Sequence, residues 1–145
     1  MAATKLTPAC NDDAERLAPV LRLEDAREMA TIGQEPLEAL LLCLAESSEA
    51  WTLWFGEEIL GMYGVRSADG LVWALTGQAV NRHRGAYYKA TKVLLADLRE
   101  RHPRLWNLVD SRYDSSVRWL RRLGFRYRGK REINGVTFFY MMLGV

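Results

Sequence analysis

The sequence has 145 residues, 49% hydrophobic and 26% charged, with a formal net charge of +2. That content suits one domain, 1–145, able to bury about two-thirds of its unfolded surface, and it excludes a natively disordered chain. No apolar run approaches the ~20 residues of a membrane-spanning helix, and two cysteines, Cys10 and Cys43, make neither a disulfide framework nor a zinc cluster.

In chain order, Lys5 to Ala9 is a weak strand. Met1 to Cys10 has one Lys and no long apolar core, so it does not read as a secretory leader, and a cytoplasmic protein is expected. Asn11 can cap a first helix, with Asp12, Asp13 and Glu15 favourably placed at its positive end. Pro19 ends or bends that helix. A second helix runs from Glu24 to Ile32 with Gly33 as its stop, and Pro36 starts a third, whose Leu37, Leu40, Leu41 and Leu44 form one apolar face. Cys43 lies beside that face as a small core residue.

The period then changes. Ala50 to Phe55, Ile59 to Val65 and Leu71 to Thr76 are short apolar segments separated by turn signals, a three-strand antiparallel meander. Gly85 to Arg101 follows as a helix, Tyr88, Thr91, Leu94, Leu95 and Leu98 marking its stripe and Pro103 stopping it. Leu105 to Val109 is a strand. Ser115 to Leu123 is a short helix capped by Asp114 or Ser115 and ended by Gly124. Phe125 to Glu132 and Val136 to Leu143 form a hairpin around Asn134-Gly135.

Charge is divided unevenly. Residues 1–79 hold five basic against thirteen acidic residues, a balance of −8, and residues 80–145 hold fifteen against five, a balance of +10. A basic half can meet a polyanion such as a nucleotide cofactor, nucleic acid or an acidic partner. It can equally be neutralised by the acidic half across the fold.

The element order, with Leu105-Trp106-Asn107-Leu108-Val109-Asp110, Asp114-Ser115-Ser116 and Trp119-Leu120-Arg121-Arg122-Leu123-Gly124-Phe125, resembles the GNAT superfamily of acyl-CoA N-acyltransferases. The resemblance implies an α/β (α+β) fold, a mixed, mostly antiparallel sheet of about seven strands flanked by helices, in the order β-α-α-β-β-β-α-β-α-β-β. Within the superfamily, Glu28 through Gly33 to Pro36, the tract Trp73 to Gly77, and the block from Leu105 to Gly124 are most similar to a small phage-encoded family. That family includes an internal virion protein of short-tailed phages.

The resemblance implies acetyl-CoA as cofactor. Its pyrophosphate needs backbone N–H donors at a helix start, and Arg82-His83-Arg84-Gly85-Ala86-Tyr87 matches the family's loop, with Tyr87 where a small residue is usual. Leu75, Thr76 and Gly77 fall on the strand that would lie along the pantetheine arm and supply an oxyanion-hole N–H. Asp114 and Arg118 complete the implied cofactor contacts. Glu28 and Asp110 are the candidate bases, and Leu120 stands where the family often has a Tyr as proton donor. Three readings follow: an N-acetyltransferase acting on an amine, a non-catalytic phage assembly or host-protein-binding protein, and a nucleic-acid binder through the basic half. Nucleic acid is the least expected, because no nucleic-acid-binding module is present; no metal and no membrane are expected.

Overall fold

The computed structural model describes residues 3–144; Met1 and Ala2, at the head of the segment weighed as a leader, and Val145 lie outside it. The elements are β1 (Thr4–Pro8), α1 (Asn11–Leu17), α2 (Leu23–Thr31), α3 (Pro36–Glu46), β2 (Glu49–Phe55), β3 (Glu58–Arg66), β4 (Leu71–Thr76), α4 (Arg84–Arg101), β5 (Leu105–Asp110), α5 (Asp114–Arg122), β6 (Arg126–Ile133) and β7 (Val136–Leu143). Three helices separate β1 from β2, as the residues predict and one more than the order implied by the resemblance, because the turn Ala18–Val20 at Pro19 breaks α1 from α2. A second 3₁₀ turn, Gln78–Arg82, precedes α4. No helix among the described residues is long and apolar enough to cross a membrane.

All seven strands form one sheet in the order β1-β2-β3-β4-β5-β7-β6. The period-2 pattern of the meander sorts its side chains to two cores. Met62, Trp73 and Leu75 pack with Leu17 of α1 and Leu40 of α3 on one face. Tyr63, Val65 and Val72 pack with Leu94, Leu95 and Leu98 of α4 and Val117 of α5 on the other. Leu37, expected in the apolar stripe of α3, is exposed instead, whereas Leu40 is fully buried. The last hairpin turns on Asn134 and Gly135, both at positive φ, as that dipeptide requires.

Every pairing is antiparallel except β4 with β5, which is parallel and holds through a single register pair, Leu71 with Trp106. That pair is clamped where the strands begin. The Trp106 N–H donates to the Gly70 carbonyl at 3.0 Å, and its indole N–H donates to the Asp69 carbonyl at 3.0 Å. Gly70 sits at φ +80°, where a Cβ would strike the Arg104 carbonyl. Beyond the clamp, the Asn107 amide, donating to the Val72 carbonyl at 2.6 Å, replaces the ladder. The two strands then part.

Candidate functional site

The parting strands open a cleft of about 450 Å³, lined by β4, β5 and the helices α2, α4 and α5. Antiparallel pairing alternates which backbone groups face a neighbour. Because the Thr76 N–H and C=O point away from β3, so do those of Ala74, two residues earlier; across the gap the same parity turns Leu108 and Asp110 of β5 toward β4. Ala74 is exposed in mid-strand, its N–H and C=O facing the gap.

Helix α2 spans the far end of the gap. Arg22, Asp25 and Glu28 recur at three-residue spacing and therefore share a face. Asp25 Oδ2 accepts from the Thr76 N–H at 2.8 Å and the Thr76 hydroxyl at 2.6 Å, while the Arg22 N–H donates to the Thr76 carbonyl at 2.8 Å. Glu28 Oε1 accepts from the Asp110 N–H at 2.9 Å. One carboxylate thus caps β4 and the other caps β5. Burial pushes the Glu28 carboxyl up to about 7, against the Asp110 hydrogen bond and with help from the negative charge of Asp25.

The two candidate bases therefore differ sharply. Asp110 is fully buried and lies outside the cleft lining; its side chain takes a two-pronged guanidinium from Arg112, with Nε–Oδ1 at 3.0 Å and Nη2–Oδ2 at 2.7 Å, plus the Arg112 backbone N–H at 2.9 Å. Burial alone would raise it, yet Arg112 holds it below the usual carboxylate range. A carboxylate so engaged by a cation is a poor base, and it does not face the cleft. Only Glu28 of the pair faces the cleft.

The cofactor contacts expected from the sequence are partly regrouped. Leu75 spends its backbone groups on β3 and packs in the α1–α3 core, and the Gly77 N–H donates to Leu60 at 2.8 Å, so neither lines the cleft. Thr76 does line it, but with its N–H already given to Asp25. Arg82 is drawn off by Glu58, which also holds His83 at 3.1 Å, and His83 stacks on Phe55 with centroids 3.9 Å apart. Arg84 and Gly85 line the cleft at the start of α4, where no side chain caps the helix and a Cβ on Gly85 would meet nothing within 4 Å. The N–H groups of Arg84, Gly85 and Ala86 are thus the uncapped donors of that helix. Tyr87 does not obstruct that opening: its ring is 3% exposed, turned inward edge-on to Trp119 at 4.9 Å and Tyr63 at 6.2 Å. Asp114 and Arg118 are exposed on α5 and leave the cleft to Ser115 and Ser116; α5 itself starts after Tyr113 without the side-chain cap expected from Asp114 or Ser115.

Sequence reasoning passed over Ala74, Arg22, Asp25, Asn107 and Trp119. Ala74 was within reach, since strand parity separates it from Leu75. The uncapped helix start beside open space, together with a strand edge that offers an N–H and a C=O, fits an extended ligand that ends in phosphate.

No protein-family model matches this sequence, and no curated protein matches it significantly. Solved structures do match. A GNAT-family protein from Chromobacterium violaceum superposes with a TM-score of 0.70 at 20% identity, over 97% of this chain and 87% of its own. An aminoglycoside acetyltransferase solved with ribostamycin and coenzyme A gives 0.73 at 15% identity, over 98% and 93%. The ribosomal L7/L12 α-N-protein acetyltransferase, solved with coenzyme A, gives 0.70 at 12% identity, over 99% and 94%. The seven-stranded sheet with its flanking helices is the GNAT fold.

Proposed function

We propose that this protein is an acyl-CoA N-acyltransferase, with acetyl-CoA as donor and an amine as acceptor, and that Glu28 is its base. The observation that carries the reading is the position of Glu28, at the split between β4 and β5 with its carboxyl poised near neutrality. Coenzyme A would be held by the uncapped N–H groups of Arg84, Gly85 and Ala86 and by the free edge of β4. Bound there, its thioester supplies the C–S bond that is exchanged for the amide C–N bond, and the freed thiol ends with a proton.

The residues of the chain supply the rest. Glu28 takes the proton that the amine gives up, and a carboxyl near 7 matches that task at neutral pH. The Ala74 N–H, which faces the gap, can donate to a carbonyl oxygen as negative charge develops on it. Thr76, one of the three residues given that role from the resemblance, has already given its N–H to Asp25.

A non-catalytic role for the same fold, in phage assembly or in holding a host protein, rests on Leu120, which has no hydroxyl where the family often has a proton donor. The similar structures named above lend it no support. Calorimetric titration with acetyl-CoA separates the two readings, with Gly85→Glu as the blocking variant. Micromolar binding that Gly85→Glu abolishes is expected. No heat with the unaltered protein would overturn the transferase reading in favour of the scaffold.

A further inference from the structure

Arg22 is under-used for a cation in so closed a place. Its side chain is 22% exposed, and its guanidinium makes one hydrogen bond, from Nη2 to Asp25 at a long 3.4 Å. Among the described residues, its Nε is the single buried side-chain N or O atom without a partner. An Arg fork has five donors and is matched by a planar carboxylate, so a half-buried fork with one long bond leaves most of that capacity unspent. Of the neighbouring acids only Asp25 meets it, through Oδ1 at that long distance; Asp25 Oδ2 is filled by Thr76, and Glu28 is turned to the Asp110 N–H. Arg22 and Glu28 line the same cleft from the same face of α2.

We infer that the acceptor is an amino acid, whose amine is presented to Glu28 while its carboxylate is bound by Arg22. This deepens the transferase reading above and rests on it. Arg22 gives the cleft a positive pole beside a base, and a zwitterion uses both poles where a simple amine uses one. The carboxylate also offers the open side of this half-buried fork a partner that the chain withholds. From residue 22 to residue 28 the backbone rises about 9 Å along the axis, a span matched by an amine several bonds from its carboxylate, as in the lysine side chain or 6-aminohexanoate.

The test compares matched pairs that differ only in the carboxylate: lysine against 1,5-diaminopentane, phenylalanine against phenethylamine, and 6-aminohexanoate against pentylamine. Thiol release with acetyl-CoA gives kcat/KM, and saturation-transfer NMR on Glu28→Gln gives binding without turnover. The carboxylate should raise kcat/KM by about 10- to 100-fold in at least one pair, the range for a charge-assisted hydrogen bond left unmade. Arg22→Gln should collapse that ratio toward one, and Arg22→Lys should restore part of it; thermal unfolding checks that both variants fold. Equal rates and equal binding within every pair would overturn the inference while the transferase reading stands. No binding by any amino acid, in a protein that binds acetyl-CoA, would overturn it as well. Failure to bind acetyl-CoA would fall on the transferase reading instead.

Discussion

Glu28 is one residue with two measurable consequences. Its folded-state carboxyl, raised mainly by burial to about 7, stands above the ordinary 4.5. A raised carboxyl contributes stability that is complete below the unfolded value and disappears as pH climbs through the folded one. Glu28→Gln keeps an oxygen for the Asp110 N–H and removes the charge. It should stabilise the protein at pH 8 by on the order of 2 kcal/mol in urea denaturation and have little effect at pH 4. On the transferase reading the same substitution should abolish acyl transfer, and the unaltered protein should show kcat/KM rising with pH and levelling above about 7. A rate that stays flat from pH 5 to pH 9 would remove Glu28 from the role of base. Asp110 illustrates what a sequence does reveal at this scale. Its partner Arg112 is two residues away, so the local Asp-Ser-Arg run already contained the ion pair that occupies it.

Element by element, the parts that were legible are those fixed locally. The meander turns, the Asn134-Gly135 hairpin and the Gly33 stop each depend on a few neighbouring residues, and they stand where the sequence put them. The site depends on distant partners. Asp25 meets Thr76 across 51 residues and Glu28 meets Asp110 across 82, and no local pattern carries such pairings. The spacing of Arg22, Asp25 and Glu28 is plain in the sequence, but the gap they face is not. Helix α2 is short and Asp25 is its one buried residue, so its seat depends on these contacts more than on apolar packing. Asp25→Ala would leave the buried Thr76 N–H and hydroxyl without their acceptor. It should cost about 2–4 kcal/mol in denaturant unfolding. Amide exchange at Thr76 should accelerate in the same variant, whereas a contact of no consequence would leave both measurements unchanged.

For the whole molecule, the ionised groups pull stability in opposite directions. Glu49 joins the end of α4 to β2 through Arg101, at 2.8 and 3.0 Å, and through His102 at 2.8 Å. Chiefly through the Arg101 bonds, these contacts hold it down to about 2. Asp110 is lowered as well. Such groups stabilise above their ordinary values and lose that contribution as pH falls, the reverse of Glu28. Stability should therefore peak near pH 5, falling on the acid side as Glu49 and Asp110 protonate and on the neutral side as Glu28 ionises. Urea titrations at pH 3, 5 and 8 test this, and a maximum at pH 8 would contradict it. The acidic and basic halves seen in the composition settle unevenly in the fold. Arg66 and Arg101 find carboxylates, whereas Arg118, Arg121, Arg122, Arg126, Arg128, Lys130 and Arg131 form none of the ion pairs found among the described residues.

The single clamp between β4 and β5 divides the sheet into a four-strand antiparallel unit, β1 to β4, and a three-strand unit, β5 to β7. Each unit has its own ladder, with one bulge in each, at Leu53/Trp54 and at Tyr127/Gly129, while α4 with its core packs across both and α2 caps both strands. Mechanically the clamp is a seam. Tension drawn across the sheet meets full ladders within each unit and one register pair between them, so the seam parts first. A molecule lodged in the gap would act as a rivet, making two separately yielding plates respond as one.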